Sequence, residues 1–101
     1  MTQNKRLRVH YSDYVKHMTY EYLTLPEEQQ SEITRQNSEA VRNVVKGLSD
    51  IERDIVTKVY LYRFTMEGVE AVSRETGMLI ETVYSVLRAY EKLVAKERGL
   101  I

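Results

Sequence analysis

Apolar residues return every three or four positions along most of this chain, with interruptions at a few sharp points. That pattern predicts several short amphipathic helices. Tyr11, Tyr14, Val15, Met18, Tyr22 and Leu25 fall on one helical face, with Lys16, Thr19 and Glu21 elsewhere. The β-prone run Tyr20-Glu21-Tyr22-Leu23 offers a strand as the competing reading of that segment. Pro26 predicts a break, because proline restricts Leu25 to extended geometry and suits the first position of a following helix. Glu27 and Glu28 would complement the positive end of that second helix. Its first half is polar, its apolar side is Ile33, Ala40, Val41, Val44, Val45 and Leu48, and Gly47 ends it.

The third helix has the clearest start. Ser49 followed three residues later by Glu52 is a capping box, in which each side chain satisfies a backbone donor near the other. Ile51, Ile55, Val59 and Tyr62 follow at helical spacing, with Val56 and Tyr60 flanking. Thr65 suits the N-cap of a fourth helix running to about Glu75. The fifth carries Val83, Val86, Leu87, Tyr90, Leu93 and Val94. No internal repeat, low-complexity tract or second domain is visible.

Between the last two helices stands Gly77, where a left-handed residue can close one helix cheaply only if it is glycine. Val69, Val72 and Ser73 precede it, and Met78, Val83, Val86 and Leu87 follow. This is the spacing of a helix-turn-helix, a unit that presents its second helix to the major groove of DNA. Any αα-hairpin that merely packs has the same spacing, so the pattern leaves both readings open.

A chain of 101 residues with one proline, four glycines and 43% hydrophobic residues is expected to form one small all-α domain. It contains no cysteine, so disulfides and thiolate metal sites are excluded. No apolar run approaches the ~20 residues that span a bilayer, and no apolar segment of the secretory kind follows the N-terminus. The expected location is cytoplasmic, with no membrane partner.

Charge complicates the DNA reading. Lys+Arg and Asp+Glu both total 15, whereas a stand-alone duplex binder usually carries a basic face or a high pI. Residues 48–101 hold eight Lys/Arg against nine Asp/Glu. Residues 1–16 hold Lys5, Arg6, Arg8 and Lys16 against Asp13. The expected organisation is a basic arm over 1–10, N-terminal helices over 11–47 and the helix-turn-helix unit over 48–101. Lys5, Arg6 and Arg8 suit phosphate contacts, and a solvated, disordered terminus is the other reading of the same residues.

From Leu48 to Leu93 the chain resembles the promoter-reading region 4 of bacterial σ factors. In size it is closer to the short late-transcription activators of Gram-positive phages, the ArpU and RinA type. The matching features are L-S-x-x-E-R (Leu48, Ser49, Glu52, Arg53), Ile55, the segment from Tyr60 to Phe64, the turn at Gly77, Thr82-Val83-Tyr84 and the closing R-A-Y-E-K-L. The resemblance covers about half the chain and implies a last helix in the major groove and contact with RNA polymerase. One departure matters. The arginines that start the last helix in σ region 4 are replaced here, where the positions read Leu79, Ile80, Glu81, Thr82 and Tyr84. Leu79 also lacks the side-chain oxygen expected at the N-cap, a loss of ~1 kcal/mol unless another group substitutes.

The candidate DNA-binding residues are Thr65, Arg74, Ile80, Glu81, Thr82, Tyr84, Ser85, Arg88 and Lys92. Arg88 and Lys92 suit phosphates, and Thr65 and Arg74 the backbone beside the groove. Ser85 and Glu81 suit base edges, with Glu81 an acceptor for cytosine N4, and Ile80 suits a thymine methyl. The competing assignment puts Leu79 and Ile80 against a protein. His10 and His17 share a helical face but lack the carboxylates of a metal site, and no phosphate loop or nucleophile motif is present. The expectation is therefore no enzyme and no cofactor. The partners expected are promoter double-stranded DNA and RNA polymerase, with the first and last helices as candidate homodimer surfaces. The second functional reading is a protein-interaction module of the same fold that binds polymerase or another regulator without reading DNA.

Overall fold

The computed structural model describes residues 2–61 and 65–101, with side chains from residue 11 onward. The side chains of Lys5, Arg6, Arg8 and His10 lie outside the described residues, as do Tyr62, Arg63 and Phe64 altogether. Five α-helices follow one another: α1 (Thr2–Thr24), α2 (Glu32–Lys46), α3 (Asp50–Leu61), α4 (Met66–Thr76) and α5 (Ile80–Arg98). Among the described residues there is no strand, and no helix is long and apolar enough to cross a membrane. The competing strand over Tyr20–Leu23 is thus displaced by the continuation of α1.

Local chemistry sets most of the boundaries. At α3, Glu52 N–H donates to Ser49 Oγ (3.2 Å) and Ser49 N–H donates to Glu52 Oε1 (2.9 Å), which completes the capping box. The Glu52 carboxyl is held below its ordinary pKa, first by the backbone N–H of Ser49 and then by its hydroxyl. Arg53 reaches back to the carbonyls of Val45 (3.4 Å) and Leu48 (3.2 Å) and so joins the end of α2 to the start of α3.

The junction at Pro26 corrects the sequence reading. Pro26 does not open α2; it precedes a single 3-10 turn, Glu27–Gln29. The chain then extends, and Ser31 caps α2 by accepting from Thr34 N–H at 3.2 Å. Because α2 starts late, Ile33 lies in its first turn and is exposed rather than in the core. The buried face of α2 is Asn37, Ser38, Ala40 and Val41.

The core draws on all five helices. Val15 and Met18 of α1, Ala40 and Val41 of α2, and Ile55, Val56, Val59 and Tyr60 of α3 meet Val69 and Val72 of α4. From α5 come Val83, Leu87, Tyr90, Val94 and Ala95. Eight of these fifteen buried apolar residues are valines. All four other helices, α1, α2, α3 and α4, pack on α5. A polar chain closes the far end: Arg98 Nε donates to Asn37 Oδ1 (2.7 Å), and Asn37 Nδ2 donates to the Tyr14 hydroxyl (3.0 Å). Ile51 and Leu93, expected on apolar faces, are about half exposed.

Candidate nucleic-acid interface

The α4–α5 corner is built from short-range bonds. Thr65 caps α4, its Oγ1 accepting from Gly68 N–H at 3.2 Å. Gly77 ends the helix at φ 72°, the left-handed region, and its N–H donates to the Ser73 carbonyl at 3.0 Å. Ser73 Oγ donates to the Met78 carbonyl (2.5 Å), and Met78 N–H donates to Thr76 Oγ1 (3.2 Å). The three residues 77–79 thus turn the chain with little freedom. Behind them Val69, Val72, Val83 and Leu87 are fully buried.

Leu79 occupies the N-cap of α5 in an extended conformation and supplies no side-chain hydrogen bond, as its residue type implies. The first turn of α5 therefore opens onto the surface with its backbone donors uncapped by the N-cap side chain. Leu79 is 72% exposed and Ile80 40%. Tyr84, one turn beyond Ile80, is half-buried, and its hydroxyl donates to Met66 Sδ at 3.6 Å. The exposed Met66 extends the same apolar surface onto the start of α4.

The outward side of α5 is polar and cationic. Glu81, Ser85, Arg88 and Lys92 recur at helical spacing and all are exposed, while Thr82 is exposed to one side of them. Ser85 donates its proton to the Glu81 carbonyl (3.0 Å), so toward a ligand its oxygen acts as an acceptor. Arg88, Lys92 and Arg74, at the end of α4, make no ion pair or side-chain hydrogen bond among the described residues. By contrast Lys58, on α3, is held by Asp54 (3.2 Å) and Glu75 (2.7 Å). That link ties α3 to α4 and raises the ammonium pKa, through Glu75 first and Asp54 second.

The structure thus groups Ile80, Glu81, Thr82, Tyr84, Ser85, Arg88 and Lys92 along one helix, with Arg74 and Thr65 at the two ends of α4. Thr65 spends its oxygen on the cap. Lys5, Arg6 and Arg8 lie along the first turns of α1, and their side chains fall outside the described residues. The tyrosines Tyr20 and Tyr22 are both half-buried, and Tyr22 packs against the core. Among the described residues no cluster of three His, Cys, Asp or Glu is placed to hold a metal ion.

Apolar spacing alone does not reveal the support behind this face. Glu91, 5% exposed, faces inward from α5 and accepts from Ser12 Oγ of α1 (2.5 Å) and the Tyr60 hydroxyl of α3 (2.6 Å). Beside it Thr19 Oγ1 donates to the Val15 carbonyl (2.9 Å), which leaves the Tyr90 hydroxyl as donor in the Thr19–Tyr90 bond of 2.6 Å. The Tyr60 and Tyr90 rings lie 5.5 Å apart and tilted by 51°. Burial, with the Glu91 charge adding to it, pushes both phenols above their ordinary pKa; the Thr19 bond partly opposes the rise at Tyr90. This polar knot fixes α5 to both α1 and α3, directly behind the outward face. Its signal in the sequence was the position of Glu91, four residues after Leu87 and three before Val94, on the buried side of α5.

No protein-family model, curated protein or solved structure matches this chain.

Proposed function

We propose that this protein is a DNA-binding transcription regulator, of the kind a phage or mobile element uses to activate late genes, which presents α5 to promoter DNA and contacts RNA polymerase. The observation that carries the reading is the exposed Arg88 and Lys92 on the outward side of α5, unpaired among the described residues, on a helix locked from behind. Arg74 adds a third such cation beside the turn. Free charges of this kind are what phosphate contacts require, and Glu81 and Ser85 offer acceptors to base edges. The sequence resemblance to σ region 4 points the same way.

Zero net charge implies weak non-specific affinity, because few phosphates are neutralised. Specific binding then draws on a second copy or on polymerase. The test is a gel shift against genomic fragments over a salt series. Arg88→Ala with Lys92→Ala is expected to weaken binding and to lower the slope of log affinity against log salt by about 2. Unchanged affinity and slope, with helicity preserved, reject the assignment. The exposed Leu79 and Ile80 favour a second reading, a module that docks on polymerase or another regulator without DNA. Absence of DNA retention even at low salt would select it.

A further inference from the structure

The end of a reading helix that enters the groove first decides which bases are told apart. In α5 that end carries Ile80, Glu81, Thr82, Tyr84 and Ser85, preceded by Leu79. The side chains that grip guanine or adenine with paired hydrogen bonds are Arg, Lys, Asn and Gln. None occurs between Leu79 and Leu87; the first is Arg88, more than two turns into the helix. What the tip does offer is exposed apolar side chains, Leu79 and Ile80, with a further exposed one, Met66, against the Tyr84 hydroxyl. In the major groove the principal apolar group on a base edge is the C5 methyl of thymine.

On the reading that α5 meets duplex DNA, we propose that its sequence preference comes from thymine methyl groups packed against Leu79 and Ile80. Charge complementarity argues for this occupant over a protein. Arg88 and Lys92 stand exposed two to three turns beyond Ile80 on the same helix, so that the helix can hold bases at its start and phosphates further along. Glu81, standing beside Ile80, repels phosphate and restricts the tip to the groove floor, where it accepts from cytosine N4.

The experiment compares two versions of one randomised duplex library, copied with thymidine or with deoxyuridine triphosphate. Deoxyuridine keeps every phosphate and every hydrogen-bonding edge and lacks only the methyl. Sequences selected on the thymine library are expected to lose about fourfold in affinity per contacted methyl when remade with uracil, hence about fifteenfold for two. Leu79→Ser with Ile80→Ser is expected to abolish that discrimination while leaving the salt slope intact. Both residues are exposed, and the Leu79→Ser change restores an oxygen at the N-cap, so melting temperature serves as the folding control. Equal binding of the two libraries, or discrimination that persists in the double variant, overturns the proposal and leaves DNA binding standing. Retention of neither library at low salt overturns both and favours a protein at the tip.

Discussion

Tyr60→Phe removes one hydroxyl from the centre of the molecule and nothing else. The ring stays packed against Tyr90, but Glu91 Oε2 loses a donor at 2.6 Å in a buried site. A hydrogen bond to a charged group is worth ~1.5–3 kcal/mol, and that is the expected loss of stability. For a domain of this size it lowers the melting midpoint by roughly 6–24 °C. Glu91→Leu alone takes the Glu91 acceptor from the Tyr60 hydroxyl and is expected to cost ~1–3 kcal/mol. The two together leave an apolar pair of similar shape with one donor fewer to satisfy. The double variant should therefore cost less than the sum of the singles by about 0.5–3 kcal/mol. Urea denaturation followed by circular dichroism measures all four corners of the cycle. Additive losses, or a Tyr60→Phe change below about 0.5 kcal/mol, would refute the claim that this bond holds α5 to α3.

Alkaline pH should unfold the protein through the same tyrosines. Their pKa is raised in the folded state, so the unfolded chain gives up protons first as pH passes ~10, and stability present below that value is lost above it. The limiting slope is ~1.4 kcal/mol per pH unit for each tyrosine, and a melting temperature unchanged from about pH 9 to 11.5 would contradict it. Gly77→Ala should cost ~1–2 kcal/mol from backbone strain alone, since a Cβ there meets nothing within 4 Å; thermal melts that coincide with the parent would argue against a left-handed residue 77. Ser38→Ala should be neutral or stabilising by about 1 kcal/mol, because the Ser38 hydroxyl is buried without a hydrogen-bond partner among the described residues. A clear loss of stability in urea would mean that this hydroxyl is bonded.

The elements most legible in the sequence were those written in local chemistry. Ser49 with Glu52, Thr65 and Gly77 each act through a backbone group no more than four residues away, and each is found where its residue type placed it. Pro26 misled because proline at a helix start is only a preference, and Ser31 five residues later made the better cap. Glu91 is invisible to apolar spacing, which points instead to Leu93, a position the structure leaves about half exposed. The hydroxyls that satisfy Glu91 come from residues 79 and 31 positions away, and only tertiary structure brings them together. The outward side of α5 was legible as a pattern of exposed types. That Arg88 and Lys92 stand clear of the acidic residues described around them is a property of the packed chain.

The predominance of valine among the buried side chains has a consequence for how the chain comes apart. Branching at Cβ stiffens a residue and lowers its helical tendency, so these short segments gain little from their own hydrogen bonds and much from being wedged together. A peptide cut out to contain only α4 and α5 should be largely coil. The last helix stays wound only while its neighbours are seated on it, so loss of the first two helices would melt it, with no change to a single residue at the surface it presents.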